Sequence, residues 1–231
     1  MASNCFKKLK ITMLTKYGTN NIIIMITFGI ILIIAGIFIH KIWLTSILEI
    51  LGAVLILFTL WFFRDPERKI PEYAINDHSI VLSPADGKIV EIVEENEQVY
   101  LNEKCIRISI FLSPLDVHVN RSPLTGKIEY FRYHPGDYLV AYHPKSSSKN
   151  EQTHIGIVNE IGKVFFKQIV GILARRLVWD IKEGDSLIVG QRFGMMKFGS
   201  RMDISVRTNS EIKVKVGDKV IAGISQIAKL K

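Results

Sequence analysis

The sequence predicts a mainly β domain preceded by an N-terminal hydrophobic helical hairpin, and three observations carry that reading. Two apolar runs stand near the N-terminus, Ile22–Ile39 (18 residues without a charge) and Ile42–Phe63 (22 residues with only Glu49 charged). Each approaches the ~20 residues that cross a hydrocarbon core of roughly 30 Å as a helix. From Ser79 onward, short runs rich in Ile, Val and Phe recur at about the 8–12-residue spacing of β sandwiches and barrels. Turn sequences such as Pro84-Ala-Asp-Gly87, Pro135-Gly-Asp137, Glu183-Gly-Asp185 and Val216-Gly-Asp218 separate them.

Residues 1–20 form a basic segment containing Lys7, Lys8, Lys10 and Lys16 and no acid. The hydrophobic hairpin follows over 21–63, with only His40 and Lys41 between its apolar runs. A hairpin of two full spans must then spend flanking residues on its turn, Gly36 to Ser46, which shortens both helices. A re-entrant hairpin, or one span followed by an interfacial helix, is the alternative. The first apolar run is longer than the core of a cleaved signal peptide, and no Ala-x-Ala site follows it. Arg64, Arg68 and Lys69 flank the far side, so the positive-inside rule places both ends of the hairpin in the cytoplasm.

The net charge of +8 over 231 residues is shared between these flanks and a modestly basic domain, 64–231. That charge suits an anionic membrane surface. No zinc-finger, RRM or helix-turn-helix signature points to nucleic acid. Cys5 and Cys105 cannot build a disulfide framework or a structural zinc site, which fits a reduced, cytosol-facing protein. Cys105 falls in a strand pattern and reads as core.

Within 64–231 the expected strands are Ser79–Leu82, Lys88–Ile92, Ile106–Leu112, His118–Asn120, Lys127–Tyr130, His154–Glu160, Lys163–Gln168, Ser186–Val189, Met202–Val206 and Glu211–Val216. Gly171–Val178 is the best candidate for a short helix. Ser83–Ile92 and Val214–Gly223 look like the two halves of a biotinyl/lipoyl-type barrel-sandwich hybrid, which makes the domain barrel-sandwich-like.

Scans for standard chemistry give little. The histidines show no zinc spacing, and nucleophile-elbow, phosphate-loop and dinucleotide glycine patterns are absent from the sequence. What remains is Gly190-Gln-Arg-Phe-Gly-Met-Met-Lys-Phe-Gly-Ser-Arg-Met-Asp203, just after an expected strand. On composition alone its Gly199-Ser200 pair reads as a turn, although serine supplies a β-oxygen that can both accept an acyl group and leave, and glycine before it tolerates a strained backbone.

At this stretch the chain resembles the phosphatidylserine decarboxylases, in the short form found in bacteria and archaea. The resemblance rests on Phe62-Phe-Arg-Asp-Pro-Glu-Arg68, Ser83-Pro-Ala-Asp-Gly87, Phe111-Leu-Ser-Pro-Leu-Asp-Val-His-Val-Asn120, Asn150-Glu151, Gln168-Ile-Val-Gly-Ile-Leu-Ala-Arg-Arg176 and Lys197-Phe-Gly-Ser-Arg201, in this order. It implies that Ser200 attacks the carbonyl of Gly199, and that the ester eliminates to a dehydroalanine that hydrolyses to a pyruvoyl group. The precursor would then divide into a 1–199 chain and a 200–231 pyruvoyl chain. The pyruvoyl ketone would form a Schiff base with the serine headgroup of phosphatidylserine and act as the electron sink for its decarboxylation to phosphatidylethanolamine and CO₂, with neither PLP nor a metal.

The same resemblance suggests His118 as the general acid or its hydrogen-bond partner, and Asp86 as an aid to self-cleavage. Arg175, Arg176, Asn150 and Glu151 are candidates for binding the phosphate and headgroup. His134 and His143 flank Pro135-Gly-Asp137 and are candidates to line the same cleft. Arg121 stands where the long bacterial form has a second histidine, so the base that activates Ser200 is either His118, serving both steps, or Asp86 alone. A membrane-anchored carrier modified at Lys197 is the non-enzymatic alternative. A Ser/Lys membrane protease lacks its Ser-Met-x-Pro motif here.

Overall fold

Both apolar runs are helices in the computed structural model, which describes residues 14–39, 41–137, 150–171, 177–197 and 200–231. The chain divides into two units, 1–67 and 68–231. In the first, helix α1 (Thr19–Ile37) and helix α2 (Ile42–Phe62) form the hairpin. α1 runs on to Ile37 and α2 starts at Ile42, both inside the expected Gly36–Ser46 turn, so neither helix is cut short. Thr45 makes this possible, because its hydroxyl donates to the carbonyls of Gly36 (3.0 Å) and Ile39 (2.8 Å) at the end of α1.

The two helices touch through glycine. A Cβ on Gly52 would lie 2.5 Å from the Gly29 carbonyl oxygen, so only its absence allows the backbones to approach this closely. Most outward side chains are large and apolar, among them Ile24, Phe28, Ile31, Trp43, Leu51 and Leu57. Both helices are long and apolar enough to cross a membrane.

In the second unit a short helix α3 (Glu72–Asn76) precedes fourteen strands among the described residues. These are β1 (Ile80–Leu82), β2 (Gly87–Glu97), β3 (Glu103–Leu112), β4 (Val119–Arg121), β5 (Gly126–His134), β6 (Gln152–Val158) and β7 (Lys163–Val170). They continue with β8 (Leu177–Trp179), β9 (Ser186–Leu187), β10 (Arg192–Met196), β11 (Ser200–Arg207), β12 (Glu211–Ile212), β13 (Lys219–Val220) and β14 (Gln226–Lys229). The main sheet has eight strands in the order β13-β2-β3-β11-β7-β6-β5-β9, and two three-stranded sheets, β1-β14-β12 and β4-β10-β8, accompany it. The fold is therefore mainly β, as the short runs predict.

The two segments read as halves of a barrel-sandwich do meet, since Lys219 pairs with Lys88 and Val220 with Gly87. Leu177 and Val178 belong to strand β8 and not to a helix; residues 172–176 of that expectation lie outside the described residues. Apolar Leu177 and Val178 pair with Met196 and Met195, so a sheet edge decides a segment whose local pattern is ambiguous.

Alternation builds the core. Ile108, Ile110 and Leu112 on β3, Met202, Ile204 and Val206 on β11, and Val164, Phe166 and Val170 on β7 turn one way and pack together. On the opposite face Tyr100 lies over Gly156, where a Cβ would meet its ring at 2.7 Å. The ring cannot yield easily, because its hydroxyl donates to Glu129 (2.9 Å) and the Lys163 ammonium sits 4.7 Å from its centroid. Gly156→Ala is therefore expected to destabilise the protein by ~1–3 kcal/mol in thermal or denaturant unfolding, the usual cost of overpacking.

Candidate active site

Strand β11 begins at Ser200, which pairs with Leu112 on one side and Val170 on the other. The main sheet therefore grips this strand along both edges from its first residue. The Ser200 side chain shares the inward face with Leu112 and Val170 and is fully enclosed. Its Oγ has no hydrogen-bond partner among the described residues, an unusual state for a buried hydroxyl. Gly199 and Phe198 lie outside the described residues.

His118 is also fully buried, and its carbonyl accepts from the Met196 N–H at 3.2 Å. Met196 is four residues before Ser200, and four extended steps span at most ~14 Å. The chain itself thus limits how far the His118 backbone can lie from the head of β11.

Asp86 closes the turn before β2, where a Cβ on Gly87 would lie 2.2 Å from the Phe111 carbonyl oxygen. Its carboxylate is engaged: Arg68 donates to both oxygens (2.6 and 2.7 Å), and the Ala222 N–H donates to Oδ1 at 2.8 Å. Arg121, in the place of the second family histidine, donates from Nη1 to the Gly190 carbonyl at 3.0 Å.

Asn150 and Glu151 are buried rather than on an open surface loop. Asn150 Nδ2 donates to the carbonyl of Val170, the partner of Ser200, at 2.7 Å, and the Glu151 carbonyl accepts from the Val170 N–H at 3.1 Å. Both residues are thus brought to the Ser200 end of the sheet. His134 reaches the same end, but through Gln152 and Ile169 it shares the face of Arg201, opposite Ser200. Arg175, Arg176 and His143 lie outside the described residues. Among those described, no three or more His, Cys, Asp or Glu gather as a metal site would need.

Sequence reasoning missed the residues that fix β11 from its outer face. Arg201 donates to Asp203 (2.6 Å), Glu91 (2.7 Å) and Ser109 Oγ (2.7 Å). Arg107 joins from β3, donating to Glu91 (2.8 Å) and Glu95 (2.7 Å). Burial alone would raise the Glu91 carboxyl, but these two guanidinium groups hold it below its usual range. The signal was available in the alternating polar residues Arg201-x-Asp203 and Arg107-x-Ser109, but the remaining partners come from other strands.

The family model for phosphatidylserine decarboxylase matches residues 55–228. The chain is 51% identical over 174 residues to the phosphatidylserine decarboxylase proenzyme of Salinibacter ruber, covering 75% of this chain and 76% of the relative. It is 39% identical over 217 residues to that of Chlorobium luteolum, covering 94% and 100%. The proenzyme of Amoebophilus asiaticus is 48% identical over 188 residues, 80% of this chain and 81% of the relative. The chain belongs to the phosphatidylserine decarboxylase family. It is a decarboxylase.

Two measurements follow for this decarboxylase. Arg201→Met would leave Asp203 buried with Arg107 3.7 Å away, and should cost about 3–5 kcal/mol of unfolding free energy. The imidazole of His154 is pushed down to about 3 by burial, with Lys167 and His134 adding to the effect. Its unfolded-state value is near ~6.5, so between these limits the unfolded chain binds the extra proton and stability falls as pH drops. His154→Phe should show a shallower loss of thermal midpoint from pH 7 to pH 5 than the parent.

Proposed function

We propose that this decarboxylase converts phosphatidylserine to phosphatidylethanolamine and CO₂ at a pyruvoyl group that it makes from Ser200 by breaking the Gly199–Ser200 bond. The observation that carries the reading is the Ser200 hydroxyl, enclosed and without a hydrogen-bond partner among the described residues. A hydroxyl held this way is free to attack the carbonyl before it. The name proenzyme, shared by the relatives, supports the same conclusion.

The placement of β11 supports it further. After a cut at that bond, residue 200 would head a chain still paired to β3 and β7, with Arg201 tied to Glu91 and Asp203. Strands β12, β13 and β14 of the same small chain would stay paired within the domain, β14 to β1 and β13 to β2. The new terminus would therefore be fixed without a covalent tether.

A pyruvoyl group at this position supplies a ketone that accepts the electrons left when CO₂ departs. The protein's own residues do the rest. His118, buried near the head of β11, serves as the proton carrier in both self-cleavage and decarboxylation, because the Asp86 carboxylate is committed to Arg68 and the Ala222 N–H. The enclosure around Ser200 favours loss of a charged carboxylate as neutral CO₂. The hairpin holds the enzyme at the membrane, with the catalytic unit on the cytoplasmic side by the positive-inside rule. Lys197 is buried, which suits a carrier lysine poorly.

Intact-mass analysis of the purified protein should give two chains, 1–199 and 200–231, with the smaller one blocked to N-terminal sequencing and reactive to carbonyl reagents. Ser200→Ala should remain one chain without activity; if it decarboxylates normally, the reading is wrong. His118→Asn should slow decarboxylation by about 10²-fold or more, the usual weight of a general acid.

A further inference from the structure

The inward positions of β7 are Val164, Phe166, Gln168 and Val170, three apolar side chains and one amide. Directly opposite on β6, Thr153 donates its hydroxyl to Gln168 Oε1 at 2.7 Å. Gln168 Nε2 in turn donates to Asn120 Oδ1 at 2.8 Å. All three residues are fully enclosed. The β4-β10-β8 sheet comes in close over this amide: a Cβ on Gly194 would lie 3.3 Å from Gln168 Nε2.

The order of donors fixes the direction of both amides. With Oε1 taken by the threonine hydroxyl, Gln168 presents its NH₂ group, and Asn120 must turn its oxygen to receive it. The Asn120 NH₂ is then left facing away from the relay. That Nδ2 is buried and has no hydrogen-bond partner among the described residues. Such a donor costs stability until an acceptor arrives.

Its surroundings indicate which acceptor. Asn120, on β4, stands opposite Gly194, the residue that comes close over the Gln168 amide. Gln168 is the diagonal neighbour of Ser200 across β7 and β11, a separation of ~7–8 Å. The orphaned donor and the orphaned Ser200 hydroxyl therefore belong to the same interior.

We propose that Asn120 orients the substrate by donating its Nδ2–H to a carboxylate oxygen of the serine headgroup, with Gln168 and Thr153 as positioning residues that set the direction of that amide. The inference deepens the Ser200 reading and rests on it. A neutral donor suits a carboxylate that must leave as CO₂, because a cation in its place would stabilise the charge that the reaction removes.

Gln168→Glu tests this without touching Asn120. Once ionised, the introduced carboxylate accepts from both Thr153 and Asn120, so Asn120 turns its NH₂ inward and its oxygen toward the substrate. With full-length protein and phosphatidylserine in mixed micelles, KM at pH 8 should rise about 10–100-fold, the weight of one hydrogen bond to a charged group. Asn120→Asp should do the same, and Thr153→Val, an isosteric change, should give a smaller rise. Inhibition by phosphatidylethanolamine, which lacks the carboxylate, should be unchanged in all three. The precursor should be cut as in the parent.

Unshifted KM values in cut enzyme would overturn the proposal, as would a parallel loss of phosphatidylethanolamine binding. A Thr153→Val chain that stays uncut would also overturn it, assigning the relay to folding or processing. A parent protein that stays uncut would instead sink the Ser200 reading, so the two failures are distinguishable.

Discussion

The 68–231 unit depends on one strand being hydrogen-bonded along both edges from its first residue. β11 starts at Ser200 and is flanked at once by Leu112 and Val170. A backbone held on both sides has little freedom to move, so the side chain of its first residue is held in one orientation. Alternation then divides the labour. Ser200 faces the enclosed interior, while Arg201 faces outward into a network of carboxylates that keeps the strand's end from fraying. The proposed chemistry and the anchoring thus occupy adjacent residues on opposite faces of one strand.

The polar groups around this point differ in what they leave available. Asp86 and Arg121 are each engaged in holding segments together, one to Arg68 and Ala222, the other to Gly190. Asn150 holds the carbonyl of Val170. Ser200 Oγ and Asn120 Nδ2 are among the buried polar atoms for which the described residues supply no hydrogen bond, and Gln168 on β7 links them, bonded to one and diagonal to the other. In a close-packed interior such atoms are costly, and proteins keep them where function uses them. This contrast in satisfied and unsatisfied groups separates bracing residues from working ones better than residue type does.

The hairpin obeys a different rule. In lipid there is little hydrophobic gain when apolar helices meet, so close backbone approach must come from small residues, and Gly29 and Gly52 provide it. The short break between α1 and α2 is possible because the Thr45 hydroxyl reaches both the Gly36 carbonyl in the last turn of α1 and the Ile39 carbonyl just beyond it. Residue counting alone assigned more of the chain to the turn, since the reach of one threonine hydroxyl is invisible in a hydropathy pattern.

Much was legible in the sequence because it depends on short-range pattern: two apolar runs of membrane length, the alternating β segments, and the Gly-Ser pair in a stretch shared with a family. The strand identity of Leu177–Trp179 was not, because three apolar residues have no decisive period and only pairing with β10 makes them a strand. The burial of Asn150 and Glu151 likewise depends on β7 lying beside them. Gln168 did carry a signal, a polar residue at a core-facing position between Phe166 and Val170, but its meaning required Thr153 and Asn120 from two other strands. Sequence by itself determined which residues alternate inward and where the Gly-Ser pair stands, because alternation and composition are local. Tertiary structure decided which polar atoms are satisfied and which are not, because hydrogen bonds between distant strands exist only once the sheets are assembled.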